Sequence, residues 1–324
     1  MKEAAKICVE TCMKILPRES VIVLSEGKEK IADALAAACE ARGAKVRRAT
    51  VALKHHRQEP PKNIEYALME CHAAFLATEH SLTHTDAVRR ARLRGIRIAS
   101  MPGIDEEMFE RAVNTNYPVM RNRAQRVSQI LAENDSLVIS SSKGTSVRLK
   151  RGGRKIMVGD GYVREDNLIN LPEGEVYFAP IEESVSGKIA ADGCGSPDTD
   201  GEFGKIGLIR EPIILTIKEG RVMKIEGGRQ AEILQKYLSA LNDPGAYRIA
   251  EFGIGINPKA RITGKILESE KSEGSIHFAL GENRGFYGKN ASKIHWDFVV
   301  RQPKIFSARG NLLLNENILK SWNR

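Results

Sequence analysis

The sequence predicts an α/β protein of two domains, and three features predict it. The chain has 324 residues, more than one ordinary core of roughly 100–200 residues organises. Its first hundred or so residues alternate helical with strand-like patterns. From Ser136 onward, short strand patterns broken by glycine dominate. The change of texture places the domains at 1–125 and 126–324.

An opening helix over about 2–15 precedes the apolar strand VIVLS at Val21. The alanine-rich stretch from Lys28 to Ala41 reads as a helix stopped at Gly43, since glycine accepts the left-handed conformation that ends helices. The strand VRRATVAL near Val46, a helix near Ile64–Cys71, the strand AAFLAT at Ala73, a basic helix after Thr85 and the strand IRIASMPG at Ile96 follow. Strands separated by helices imply parallel pairing with helices on both faces, a flavodoxin-like scaffold. No GxGxxG follows the first strand, so a dinucleotide fingerprint is absent.

A helical stretch over about Asp105–Asn134 leads into the second half. There LVISSS, SVRLKRG, KIMVGDGYV, GEVYFAP and SGKIAADG read as strands, and ILTIKEGRVMKI as a hairpin turning at Glu219-Gly220. A helix over about Gln230–Leu241 interrupts them. The expected C-terminal domain is a mixed, strand-rich α+β fold.

Composition narrows the function classes. A hydrophobic fraction of 42% and a charged fraction of 28% are those of a globular chain. No apolar stretch approaches the ~20 residues that span a bilayer, and MKEAAKICVETCMKIL reads as an amphipathic helix rather than a signal peptide. The five cysteines (Cys8, Cys12, Cys39, Cys71, Cys194) show no CxxC spacing, so reduced thiols in a cytoplasm are expected. Cys194, between glycines, reads as a loop thiol. A net charge of +9 invites a nucleic-acid partner, with RRARLRGIR from Arg89 and KHHRQEPPK from Lys54 as its carriers. No zinc finger, RNA-binding aromatic motif or helix-turn-helix accompanies them, so a solvated basic surface is expected, with no nucleic acid and no membrane as partner.

The chemistry concentrates near the C-terminal end. Strand-like segments read EVYFAP at Glu175, EFGIGINP at Glu251, SIHFALG at His277 and IHWDFVV at His295 and Asp297. Side chains alternate along a strand, so His295 and Asp297 share a face while Ile294, Trp296 and Phe298 take the other. His277 likewise lies with Ser275 and Ala279, opposite Ile276, Phe278 and Leu280. Imidazoles and carboxylates on apolar strands are costly to bury without a partner, and a divalent metal ion is such a partner. Each piece has a plainer reading: His277 as a satisfied core histidine, Glu175 as a solvated acid, and Gly253 and Gly255 as a tight bend rather than room for a ligand. Together the four segments point to a metal site. His55, His56, His72, His80 and His84 lie in polar loops and are expected to be exposed. Asp192, Asp198 and Asp200 in ADGCGSPDTDG lack the spacing and terminal glutamate of a calcium loop, and read as a mobile loop. SSSKGTS fails as a phosphate loop, and no GxSxG elbow occurs.

The segments NLPEGEVYFAP from Asn170, EFGIGINPKAR from Glu251, GSIHFALG from Gly274 and GKNASKIHWDFV from Gly288 resemble, in this order, the C-terminal half of the aminopeptidase T/aminopeptidase S family of leucyl-type metallopeptidases. The resemblance covers about residues 120–300. That superfamily also includes iron-dependent enzymes of the 2,5-dihydroxypyridine dioxygenase kind. In the peptidases, two ions such as zinc, cobalt or manganese are held by residues that correspond to Glu175, Glu251, His277, His295 and Asp297. Metal-activated water would then attack a peptide carbonyl, with Glu251 bridging the ions or helping to deprotonate the water. The peptidase tyrosine that follows the equivalent of His277 meets Arg284 here, with Tyr287 three residues further on. The dioxygenase resemblance implies a triad of His277, His295 and Asp297 around Fe(II), with Glu175 and Glu251 orienting ligands or moving protons, and Arg284 holding a carboxylate or phenolate. The leading expectation is a hydrolase acting on a short peptide or small molecule, with a homodimer implied by the peptidase likeness. A ring-cleaving dioxygenase is the alternative.

Overall fold

The computed structural model describes residues 1–199 and 201–322, so Asp200 lies outside the described residues. The chain is α/β and divides into two compact units. One comprises 1–117 and 159–173, the other 118–158 and 174–324. This differs from a single cut at residue 125. The physical reason is the segment Leu168–Asn170, which pairs in parallel with Arg97–Ser100 and so extends the sheet of the first unit.

In the first unit the strand order is Lys45–Thr50, Ser20–Ser25, Ala73–Ala77, Arg97–Ser100, Leu168–Asn170, every pairing parallel. Val21 to Leu24 and Ala73 to Ala77 are buried throughout, the pattern of strands covered on both faces. Helix Glu29–Ala41 supplies part of that cover through Ile31, Ala32, Leu35, Ala36 and Cys39, which recur at helical spacing. Helix Asp86–Leu93 begins at Thr85, whose hydroxyl accepts a hydrogen bond from Val88 N–H at 3.3 Å. The stretch expected as one helix over 105–134 is broken: a short Glu106–Met108 turn widens over Phe109–Val113, and a new helix runs Tyr117–Glu133. Pro118 sits in the first turn of that helix, where its missing N–H costs nothing.

The second unit holds two seven-stranded sheets. The first contains the hairpin Ile213–Lys218/Arg221–Glu226, with Glu219 at φ 49° and Gly220 at φ 73°, the left-handed pair that a tight two-residue turn requires. The second orders Gly207–Leu208, Cys194–Gly195, His295–Val300, Ile276–Gly281, Ile249–Gly255, Glu175–Phe178 and Met157–Gly159. Of KIMVGDGYV, Met157–Gly159 alone forms a strand. On one face of this sheet Phe178, Phe252, Phe278 and Phe298 stand opposite one another across four strands. Phe252 lies 5.6 Å from Phe178 and 5.3 Å from Phe278, centroid to centroid. Each buried ring stabilises the sheet by about 2–3 kcal/mol, and the row locks the register that sets the opposite face. No helix among the described residues is long and apolar enough to cross a membrane.

Candidate metal centre

The face opposite the phenylalanines carries the ionisable residues, separated by very small ones. Glu251 stands opposite Ala279, which stands opposite Asp297; His277 faces Gly253, His295 faces Gly281, and Glu175 faces Gly255. A Cβ at Gly253 would lie 2.1 Å from His277 Nε2, so this glycine makes room for the imidazole. A Cβ at Gly255 would lie 2.2 Å from the carbonyl oxygen of Ser272. That glycine admits the backbone of 270–272, which brings Lys271 to the cluster. Neither glycine marks a simple bend.

The side chains meet in one chain of contacts. His277 Nε2 lies 3.1 Å from Glu251 Oε1 and 3.3 Å from Glu175 Oε2. His295 Nε2 lies 3.4 Å from Glu251 Oε2 and 3.6 Å from Asp297 Oδ1. Among the described residues, two groups each bring three donor atoms within 4.8 Å of one another: Glu175, Glu251 and His277, and Glu251, His295 and Asp297. Glu251 belongs to both. Glu175, Glu251, His277 and Asp297 are buried, while His295 is partly exposed and marks the open end. His295 Nδ1 donates to the carbonyl oxygen of Glu282 at 2.8 Å, so its Nε2 is the nitrogen presented to Glu251 and Asp297.

The electrostatics are those of a cluster whose positive charge is supplied by protons. Burial disfavours imidazolium, yet the Glu251 and Glu175 carboxylates overcome it and push His277 up to about 9. His295 is likewise held well above the usual histidine range, burial being outweighed by Asp297 and Glu251. Burial opposes ionisation of Glu251 and Asp297, but the two imidazoles hold both below the usual carboxylate range. Metal ligation replaces such protons with a cation. Among the described residues, buried Glu175 Oε2 accepts no hydrogen bond, and a set of imidazole and carboxylate donors suits a divalent ion. The residues fit such an ion.

Three residues at this site carried no signal in the sequence. Lys271, 1% exposed, places Nζ 3.1 Å from Glu175 Oε1 and also pairs with Glu270. The string ILESEKSEGS reads as a polar loop, with nothing to show that its lysine turns inward. Burial, partly opposed by Lys271, pushes Glu270 up to about 8. Phe286 packs edge-on against both His295 at 5.6 Å and Tyr177 at 5.7 Å.

Arg284 and Tyr287 flank that phenylalanine in sequence, in an exposed turn. Arg284 grips Glu282 through two bonds of 2.9 Å, and the Tyr287 hydroxyl lies 3.1 Å from Lys155 Nζ. His55, His56, His72 and His84 are exposed and His80 is half-buried. Asp192 accepts from Arg301 N–H and Asp198 from Ile266 N–H, both as backbone supports. Cys194 is buried, and burial pushes its thiol up.

A sequence model of the NicX family, 2,5-dihydroxypyridine 5,6-dioxygenases, matches residues 3–307. A 2,5-dihydroxypyridine 5,6-dioxygenase of Pseudomonas putida is 27% identical over 201 residues, a match covering 57% of this chain. The same match spans 55% of that relative's length, little more than half. In structure, the 2,5-dihydroxypyridine dioxygenase of Pseudomonas putida KT2440 superposes with a TM-score of 0.79 at 21% identity, covering 97% of this chain and 95% of that one. Wild-type AmpT of Thermus thermophilus superposes with a TM-score of 0.63 at 16% identity, covering 97% and 98%. Likenesses this remote in sequence show the fold.

These findings correct the leading expectation. The hydrolase, aminopeptidase and protease readings are overturned by the family match over 3–307 and by the dioxygenase relative. The short-peptide substrate falls with them. The likeness to the peptidases is one of fold. The physical reason for the misreading is that imidazole and carboxylate donors suit a divalent ion in either chemistry, so these residue types alone do not separate them.

Proposed function

The chain belongs to the 2,5-dihydroxypyridine 5,6-dioxygenase family, and from that premise we propose that it is a ferrous ring-cleaving dioxygenase of a small aromatic diol. The observation that carries this reading is that the Glu251 carboxylate contacts both His277 and His295, with Asp297 beside His295, in a cluster whose His295 is partly exposed. We assign His277, His295 and Asp297 as the residues that hold the ion. Ferrous ion supplies the one-electron chemistry that lets dioxygen react with an aromatic diol. The net change is cleavage of one ring carbon–carbon bond, with both oxygen atoms of dioxygen entering the product.

The chain's own residues do the rest. Glu251, in reach of both imidazoles, takes the proton that a ring hydroxyl gives up when the diol binds as its anion. Phe286 and Tyr177, in edge contact beside His295, offer a flat apolar wall for an aromatic ring. Arg284 acts at one remove: its fork holds Glu282, whose carbonyl orients His295. Tyr287 closes the exposed turn against Lys155. The reading is tested by oxygen uptake of anaerobically iron-loaded protein with 2,5-dihydroxypyridine. Stoichiometric uptake with loss of the aromatic absorbance is expected; no uptake, with the ion bound, rejects this substrate class.

A further inference from the structure

We propose that Lys271 serves as the built-in cation of the Glu175 end of this cluster and closes that end to a second divalent ion. The proposal rests on the metal reading above and deepens it. The donor groups form two overlapping triads that share Glu251, an arrangement with geometric room for two ions. The Glu175–Glu251–His277 triad, however, is already in contact with an ammonium. Lys271 Nζ lies 3.1 Å from Glu175 Oε1 and also engages Glu270. An ammonium has three donors and no acceptor, so while protonated it neutralises carboxylates without ligating a metal.

The lysine is fixed from its backbone outward. Its carbonyl accepts from Asn257 N–H at 2.9 Å and its N–H donates to Glu268 O at 3.0 Å. Gly255, with no Cβ, lets the 270–272 backbone lie against the strand. A dication placed in the inner triad would face this ammonium inside a buried site, where like charges repel strongly. Around His295 the contacts are to Glu251 at 3.4 Å and Asp297 at 3.6 Å, with no ammonium beside them among the described residues, and His295 is partly exposed. Lys271 is therefore a positioning residue. It holds Glu175 and keeps that carboxylate from a second ion.

The test is metal stoichiometry, by elemental mass spectrometry after equilibration with excess Mn(II) and removal of free ion. Wild type and Lys271→Arg are expected to retain one ion per chain, and Lys271→Met, similar in length but neutral, to retain two. Two ions on wild type, or one or none on a folded Lys271→Met, would overturn the proposal. If Lys271→Met does not fold, Lys271→Gln, neutral and able to donate to Glu175 or Glu270, is expected to retain two ions; one or none on folded Lys271→Gln would overturn the proposal. The underlying metal reading fails separately, by wild type binding no ion or by His295→Ala binding it as tightly as wild type.

Discussion

The central strands of two sheets of this protein are buried to a similar extent, for opposite reasons. In the parallel sheet, Val21 to Leu24 and Ala73 to Ala77 are apolar on both faces, and burial itself is the stabilising term. In the antiparallel sheet, Ile249–Gly255 and Ile276–Gly281 are just as inaccessible. One face carries Phe252, Ile254, Ile276, Phe278 and Leu280, and the other carries Glu251 and His277 among small residues. Fully buried ionisable groups persist only when paired, so the second sheet carries a cost that the first does not.

The largest difference between the sheets should appear on removing a ligand. His295→Ala or Asp297→Asn is expected to weaken metal binding by well over the roughly 100-fold that loss of a supporting group produces, read by chelator competition. Leu24→Ala in the parallel sheet should leave metal content per folded chain unchanged. It should still lower stability by about 2–5 kcal/mol in denaturant melts, because it opens a cavity. Phe278→Ala probes both properties at once: about 3–5 kcal/mol of stability should be lost, with metal affinity falling because the aromatic row sets the register of His277. Equal metal affinity in a folded Phe278→Ala protein would break that link.

Gly253→Ala sharpens the comparison further. Its new methyl would displace the His277 ring, so metal affinity should drop while stability falls by about 1–3 kcal/mol from overpacking. A smaller effect concerns pH. His277 is raised to about 9 in the metal-free cluster, above the ~6.5 of an unfolded chain. The native state therefore binds its proton more tightly, and that stability is present below pH ~6.5 and lost as pH rises through about 9. Metal-free protein should show a falling Tm across that window. Metal-loaded protein should not, because its imidazoles are already neutral ligands. Smallest of all, Arg284→Ala should weaken metal binding by about 10-fold through loosened support of Glu282 and His295, and Arg284→Lys should restore part of it.

Much of this was legible in the chain. The alternation of Val21, Ala73 and Ile96 strands with helices specified parallel pairing, and Glu219-Gly220 specified its hairpin. The five acids and histidines were visible because period-two patterning put each opposite an apolar residue. What patterning cannot convey is approach across strands. The return of Leu168–Asn170 to the first sheet, the use of Gly253 as space for His277, and the inward turn of Lys271 all depend on partners distant in sequence. The preference for a hydrolase came from a likeness of motifs, and the family match over residues 3–307 overturned it.

The most direct test of the account is the fate of labelled dioxygen. Iron-loaded protein would be given 2,5-dihydroxypyridine under 18O2, and the product analysed by mass spectrometry. Incorporation of both labelled atoms into a ring-opened product is the predicted result. A product carrying its new oxygen from water would contradict the claim that this cluster performs dioxygenase chemistry.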